Sequence, residues 1–252
     1  MASKNRHSLV NISVFGISQL KYQSPYMVAW WSAVFPGFGH YLLCQYLRGT
    51  LLTLAEVIIN TLARINEAMV YSFSGQFELA KSVIEPKWAF GYLAIYLIAI
   101  GDSFRSAVYQ NKLHHLALLE YKGHHTVHIS PIEIQYIEKK NPTIGALYSF
   151  FFPGLGQLYN QRFGLAFYAM FWWWIYLILS NSHDSILFLW HGRLEDSISV
   201  LHPHWLLFMP SVLFGSIYYT YRTTIEHNRL FQIEQRHFLM NRYQQSRLRI
   251  FS

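Results

Sequence analysis

Charged residues are scarce in this chain, and cysteine is almost missing. Only 13% of the 252 residues are charged and 52% are hydrophobic, which is unusual for a soluble protein of this size. The single cysteine, Cys44, excludes an intramolecular disulfide. The sequence has no Walker loop, no dinucleotide-binding glycine motif, no Gly-x-Ser-x-Gly and no HExxH, so it shows no signature of these catalytic classes.

Long apolar runs are present instead. A bilayer crossing needs roughly 20 apolar residues, and four runs approach that length: 47–65, 88–108, 163–179 and 205–221. Aromatic residues make up 18% of the chain, and many of them, such as Trp88 and Trp205, stand at the edges of these runs, as at a membrane interface. We therefore expect an all-α polytopic membrane protein, with a large soluble helical core as the alternative. The first twenty residues lack an apolar segment followed by a cleavage site, so we expect no cleaved signal peptide.

The sequence contains two copies of one unit. The same offset of 117 positions relates Pro36 to Pro153, and it holds over some ninety positions to Arg105 and Arg222. We expect a cytoplasmic N-terminal segment (1–21), a first membrane repeat (22–115), a polar His-rich linker (116–138), a second membrane repeat (139–232) and a basic amphipathic C-terminal tail (233–252).

A helix-breaking motif opens each copy. Proline and glycine interrupt an apolar stretch at "FPGFGH" (35–40) and again at "FFPGLGQ" (151–157). These residues favour a reversal of the chain, which would make each break a re-entrant or interfacial hairpin followed by two transmembrane helices. The alternative is a tight turn at headgroup level with a purely geometric role. The motif residues are Pro36, Gly37, Gly39, Pro153, Gly154, Gly156 and Gln157.

The distribution of charge indicates the orientation of the repeats. If each copy crosses the bilayer twice, both copies point the same way, and the arginine-rich tail and the lysines of the linker share one side. Cytoplasmic segments are enriched in Lys and Arg, so we expect two parallel repeats in the cell (inner or plasma) membrane with both termini in the cytoplasm. Three crossings per copy would invert the second copy and place the tail outside.

The segments "FPGFGHYLLCQYLRGTLL" (35–52) and "FPGLGQLYNQRFGLAF" (152–167) resemble the signature Pro-Gly-x-Gly-Gln-x-Tyr of bacterial TM-two-like membrane proteins. The doubled unit resembles uncharacterised membrane proteins of spore-forming Gram-positive bacteria. The first copy departs from the signature at His40, where the family has glutamine, and at Leu43 and Cys44, where it has Asn-Gly. This resemblance implies helical hairpins in a membrane, and it implies no activity.

Polar residues inside the apolar runs of the first copy are candidates for a site. An ionisable group in a membrane span is costly unless it is paired or wet, which makes Glu56 the best single pointer. Helical spacing places Asn60 on the same face as Glu56, and Asp102 on the same face as Arg105. The hypothesis is one polar pocket formed by His40, Glu56, Asn60, Asp102 and Arg105. An internal network that fixes helix packing is the alternative.

The linker and the tail suggest few ligands. His124 and His128 are weak metal candidates, because Gly123 disfavours the helix that would bring them together. We expect no cofactor, no metal site and no nucleic acid, and we expect the Arg-rich tail to bind anionic inner-leaflet lipids of the bilayer. The expected function is a non-catalytic scaffold or partner-binding subunit, with a membrane protein partner or a homo-oligomer. A transporter or channel component is the first alternative and an intramembrane enzyme the second.

Overall fold

The computed structural model describes residues 9–13, 16–120, 127–129 and 134–243, without the side chains of 127–129 and Ile134. The chain is mostly helical, as expected. In addition, β1 (Val10–Ser13) pairs antiparallel with β2 (Gly16–Gln19), and β3 (Val127–Ile129) pairs antiparallel with β4 (Ile134–Tyr136). β-branched residues in β1 and β2 favour strands. The N-terminal segment and the linker thus each contain a pair of short antiparallel strands.

The two copies form corresponding series of helices. The first series is α1 (Pro25–Val34), α2 (Phe38–Leu42), α3 (Tyr46–Ala63), α4 (Ile65–Phe73), α5 (Phe77–Val83) and α6 (Pro86–Leu119). The second is α7 (Pro142–Phe151), α8 (Leu155–Tyr159), α9 (Phe163–Leu179), α10 (Ser182–Trp190), α11 (Leu194–Val200), α12 (Pro203–Leu206) and α13 (Phe208–Tyr243). Helix starts recur 117 positions apart from α1 and α7 through α6 and α12. Even the positive φ angles recur, at Arg64 and Asn181 and at Cys44 and Gln161.

One helix differs between the copies. α6 runs unbroken from Pro86, whereas its counterpart is divided at Leu207 into α12 and α13. Proline lacks the N–H that would bond the carbonyl four residues earlier, and its ring crowds that carbonyl, so Pro210 disrupts the helix at this point. The first copy has Leu93 at the same position. The apolar run 205–221 therefore lies on two helices, and the first part of the tail, 233–243, continues α13.

The chain divides into two compact units, and each contains parts of both copies. Unit 1 comprises 1–22, 109–167 and 216–252, and unit 2 comprises 23–108 and 168–215. The core of unit 1 includes Leu9, Val10, Ile17, Ala117, Ile137 and Leu230. The core of unit 2 includes Phe35, Val57, Tyr176, Phe208 and Met209. Stacked and edge-on aromatic rings fill the second core, with Tyr176 stacked on Phe208 at 5.3 Å between ring centroids.

The Pro-Gly breaks are tight, buried reversals. Gly37 has a φ of 95° and Gly154 a φ of 109°, a region that side chains with a Cβ rarely adopt. α2 then folds back on α1 so closely that a Cβ at Gly39 would meet the Ser32 hydroxyl and the Val28 carbonyl oxygen. The second copy repeats this approach at Gly156, against Ser149. In both copies the proline and the glycines of the break are buried.

The length and composition of the helices bear on membrane crossing. Within the described ranges, no helix taken alone is both long enough and apolar enough to span a bilayer. Three helix pairs bent at a short break do pass the same criteria together: α5 with α6 at 90°, α9 with α10 at 65°, and α11 with the segment Pro203–Tyr243 at 87°.

Candidate functional site

The five candidate residues of the first copy form two polar clusters in unit 2. His40, Asp102 and Arg105 belong to one, which we call the ion cluster, and Glu56 and Asn60 belong to the other, which we call the amide cluster. No hydrogen bond or ion pair joins the two clusters in the described part of the chain. The hydrogen bonds thus group the five residues into two clusters, and the single pocket inferred from helical spacing stays a prediction.

The ion cluster links α2 and α6 around Asp102. His40 Nε2 lies 3.1 Å from Asp102 Oδ2, and the Arg105 guanidinium donates to Asp102 Oδ1 at 2.9 Å. Arg48, at the start of α3, donates to Asp102 Oδ2 at 3.1 Å. His40 is fully buried and the two arginines are exposed, so the cluster extends from the interior of the unit to its surface.

The amide cluster joins three helices. Asn60 Nδ2 donates to Glu56 Oε1 at 3.0 Å and to Asn66 Oδ1 at 3.0 Å, and Asn60 Oδ1 accepts from the Asn66 backbone N–H at 3.1 Å. Asn66 Nδ2 then donates to the His204 carbonyl oxygen at 2.9 Å. The network therefore connects α3, α4 and α12 through buried side chains. The second carboxylate oxygen of Glu56, Oε2, has no hydrogen-bond partner among the described residues.

In the second copy, the two α3 positions of the amide cluster are occupied by apolar residues of α9. Trp173 and Leu177 stand where the first copy has Glu56 and Asn60, and both pack against the aromatic core around Tyr176. The corresponding helices α3 and α9 therefore differ in what they pack inside the unit. α3 contributes to a polar network, and α9 contributes aromatic rings and a leucine to the apolar core.

Gln157 shows what the second break motif does. Its side-chain oxygen accepts from the Gly154 backbone N–H at 3.1 Å, and its amide nitrogen donates to Ser216 Oγ at 2.8 Å. Glutamine thus satisfies a buried N–H of the break and fastens the turn to α13. At the corresponding position, His40 bonds Asp102 instead, because Asp102 stands where the second copy has Tyr219.

The sequence did not reveal Arg48 or Asn66. The partners of both side chains lie on other helices, so spacing along a single helix gives no signal for them. For metals, the described residues contain no group of three His, Cys, Asp or Glu placed to hold an ion. His124 and the side chain of His128 lie outside the described residues, as do residues 244–252 of the tail.

Comparisons of the chain with protein-family models, with curated proteins and with solved structures give no match. The resemblance to TM-two-like proteins therefore rests on the two break motifs, and it stays a prediction.

Proposed function

We propose that this chain is an α-helical membrane protein whose function is to hold a partner, as a non-catalytic scaffold or as a subunit of an oligomer. The observation behind the proposal is the inside-out character of its long helices. In a soluble protein, the apolar face of a surface helix points inward and the polar face meets water. In this chain, several long helices instead expose their large apolar side chains.

α3 displays the reversal most clearly. Its exposed large apolar side chains form a stripe along one face: Leu47, Leu51, Leu54, Ile58 and Leu62. Its buried positions include Gly49, Thr53, Glu56 and Asn60, and Glu56 is only 1% exposed. Lipid is the solvent that favours this distribution, because transfer into hydrocarbon is favourable for a leucine side chain and unfavourable for a carboxylate.

Two further helices expose large apolar side chains at helical spacing. On α6 these are Phe90, Leu93, Leu97 and Ile98, and on α9 they are Phe167, Phe171, Trp174 and Ile178. Contiguous apolar surface of this extent marks a membrane or protein contact in a native protein. The proposed topology has four spans in two parallel repeats, each opened by a re-entrant hairpin. The arginines of the tail then lie on the cytoplasmic side, beside anionic lipid.

The amide cluster favours a scaffold over a solute pathway. Asn60 and Asn66 are hydrogen-bonded to each other, to Glu56 and to a backbone carbonyl, so they act as polar contacts between helices. A transport site needs polar groups that face a solute rather than one another.

Two assays test the proposal. Washing membranes with alkaline carbonate should leave the full-length chain in the pellet, and its release into the supernatant would contradict membrane integration. Purification in mild detergent should yield a stoichiometric complex or a homo-oligomer, and a monomer at its native expression level would contradict partner binding.

A transporter or channel component is the second candidate, and Glu56 Oε2 is the observation that favours it. A carboxylate oxygen without a hydrogen-bond partner is the group on which an ion or proton pathway would depend. Proteoliposomes containing the wild-type chain and the Glu56→Leu variant distinguish the two functions. If both proteins give the flux of empty liposomes for cations, protons and small anions, the result supports the scaffold. If the wild-type chain gives flux above that level and Glu56→Leu does not, the result supports transport.

A further inference from the structure

Two pairs of short helices in unit 2 form helical hairpins. α4 and α5 form the α4–α5 hairpin, with its turn at Gly75, and α10 and α11 form the α10–α11 hairpin, with its turn at Gly192. Both glycines have a positive φ, of 74° and 73°. In the α10–α11 turn the Arg193 N–H donates to the Phe188 carbonyl oxygen at 2.9 Å, and the bond 117 residues earlier closes the α4–α5 turn at the same distance. Both copies therefore build the same hairpin.

Small residues lie on the inner side of both hairpins. Ser185 and Ser197 are buried, and Ser197 Oγ donates to the Ser185 carbonyl oxygen at 2.8 Å, which joins α10 to α11. The residues at the same positions of α4 and α5 are Ala68 and Ala80, and both are buried as well. Small side chains let two helices approach closely, so they suit the contact inside each hairpin.

Large apolar residues lie on the outer side of both hairpins. Trp190 is 87% and Phe73 75% exposed, and each stands two positions before the glycine of its turn. Leu194 and Phe77 stand two positions after the glycines and are also exposed. α10 exposes three more large apolar side chains: Ile186, Leu187 and Leu189. A hairpin in water would bury such side chains and expose its serines, so both hairpins show the opposite of the distribution that water favours.

The angle between the hairpins and the long helices indicates where the hairpins lie. α5 makes an angle of 90° with α6, and α11 makes an angle of 87° with the segment Pro203–Tyr243. Transmembrane helices are tilted by about 20° on average from the bilayer normal. If the long helices span the membrane, as the proposed function requires, α5 and α11 lie nearly parallel to the membrane surface.

The face pattern of α11 fits that orientation. Leu194 and Ile198 are four residues apart and share one exposed face of the helix, whereas Glu195 and Asp196 project from other faces. A helix that lies in the membrane plane with an apolar face and a charged face is typical of the boundary between headgroups and acyl chains.

A comparison of the two copies favours lipid over a protein partner. Trp190 and Leu194 of one hairpin correspond to Phe73 and Phe77 of the other, so size and shape differ at both positions while apolar exposure is kept. A protein interface requires complementary shape, whereas acyl chains adapt to any apolar side chain. Tryptophan is also enriched where a protein meets the membrane interface.

We propose that the α4–α5 and α10–α11 hairpins anchor this chain in the bilayer interface on the side opposite both termini. Four tip residues that flank the turns insert among the acyl chains: Phe73, Phe77, Trp190 and Leu194. The polar turn residues Ser74 and His191 stay in the headgroup layer, within reach of water. This inference rests on the proposed membrane function, and it adds a lipid contact remote from the Arg-rich tail.

Spin labelling of the full-length protein in phosphatidylcholine liposomes tests the inference. In a Cys44→Ser background, a nitroxide is attached to the single cysteine of Trp190→Cys, of Phe73→Cys, or of the matched control Glu195→Cys on the charged side of α11. Collisions of the nitroxide with oxygen, which concentrates in hydrocarbon, are compared with collisions with a water-soluble nickel complex. The oxygen-to-nickel ratio should be at least fivefold higher at the two tip positions than at Glu195→Cys, at a depth of about 5–10 Å.

A label at Ile58→Cys, on the apolar stripe of α3, separates this inference from the proposed function. If nickel reaches the tip labels as readily as the Glu195→Cys label while Ile58→Cys reports hydrocarbon, the hairpins face water and the inference is wrong, although the spans stand. If nickel reaches Ile58→Cys as well, the proposed membrane function fails too. Low collision rates with both reagents at the tips would indicate a protein contact and overturn the inference. If Trp190→Cys does not fold, Phe73→Cys decides, because it probes the other hairpin.

Discussion

A lysine in the middle of the apolar stripe of α3 should destabilise the protein far more than a lysine at its end. Ile58 is 57% exposed and lies about 5 Å from the midpoint of α3, at a rise of about 1.5 Å per residue. On insertion scales, Lys at the centre of a spanning helix costs about 2.5–3.5 kcal/mol and Ile contributes about −0.3 to −0.6 kcal/mol. Ile58→Lys should therefore cost about 3–4 kcal/mol in a bilayer.

Leu47→Lys is the matched control for this prediction. Leu47 is 75% exposed on the same stripe but stands in the first turn of α3, where a lysine side chain reaches the headgroups. We expect its cost to stay below about 1 kcal/mol, as for charges near the interface. Both variants would be unfolded in bicelles by titration with denaturing detergent, and their membrane-inserted fractions would be measured after a carbonate wash.

The expected stabilities of the two variants differ between a helix that faces lipid and a helix that faces water. On a water-facing helix, both lysines would fall within about 0.5 kcal/mol of the wild-type stability, because exposed substitutions away from special features change little. Equal stability of Ile58→Lys and Leu47→Lys would therefore refute the assignment of α3 to a membrane span.

Three further changes test the breaks and the buried histidine of α13. Gly39→Ala should cost about 1–3 kcal/mol in unfolding free energy, because the new Cβ meets Ser32 and the α1 backbone, whereas Gly101→Ala, in open space on α6, should be neutral or stabilising by up to about 1 kcal/mol. Gln157→Leu should cost about 1–3 kcal/mol, because it leaves the buried N–H of the second break unsatisfied. Burial lowers the pKa of His227 well below its ordinary value, so below about pH 6.5 this histidine is protonated in the unfolded chain but not in the folded one. The free energy of unfolding of the wild-type protein should therefore fall with decreasing pH more steeply than that of His227→Gln, by up to about 1.4 kcal/mol per pH unit.

Each of these predictions has an outcome that would contradict it. Equal melting temperatures of the Gly39→Ala and Gly101→Ala variants would show that α2 does not pack closely on α1. Gln232→Leu, at an exposed position of α13, controls for the loss of a glutamine, and an equal cost there would remove the capping role of Gln157. Parallel stability profiles of wild type and His227→Gln between pH 4 and pH 8 would show that His227 titrates as it does in the unfolded chain.

Local chemistry explains which parts of the fold the sequence could predict. Proline and glycine act within a few residues, so the breaks at Pro36 and Pro153 were predictable, and so was the start of a helix at Pro86. The break at Leu207 follows from Pro210 by the same rule and was missed, because the surrounding run is continuously apolar. The β1–β2 hairpin was missed because short strands outside the repeats give little periodic signal.

The candidate site was only half predictable. Glu56 and Asn60 share a helix face, and so do Asp102 and Arg105, and both pairs are bonded as their spacing predicted. Contacts between helices, such as those of Arg48 and Asn66, depend on tertiary packing and give no signal in the spacing along one helix. The burial of Lys21, Arg162 and His227 was not predictable from the sequence, since the three residues are far apart in the chain and each is an ordinary polar residue.

The central claim is that the two copies are parallel in the membrane with both termini in the cytoplasm, and labelling of single cysteines tests it most directly. In a Cys44→Ser background, cysteine would replace Ser74, its counterpart His191 117 positions later, or Gln235 on α13. A membrane-impermeant maleimide should label positions 74 and 191 in intact cells, and position 235 only after permeabilisation. Labelling of 74 and 191 from opposite sides, or of 235 in intact cells, would contradict the account.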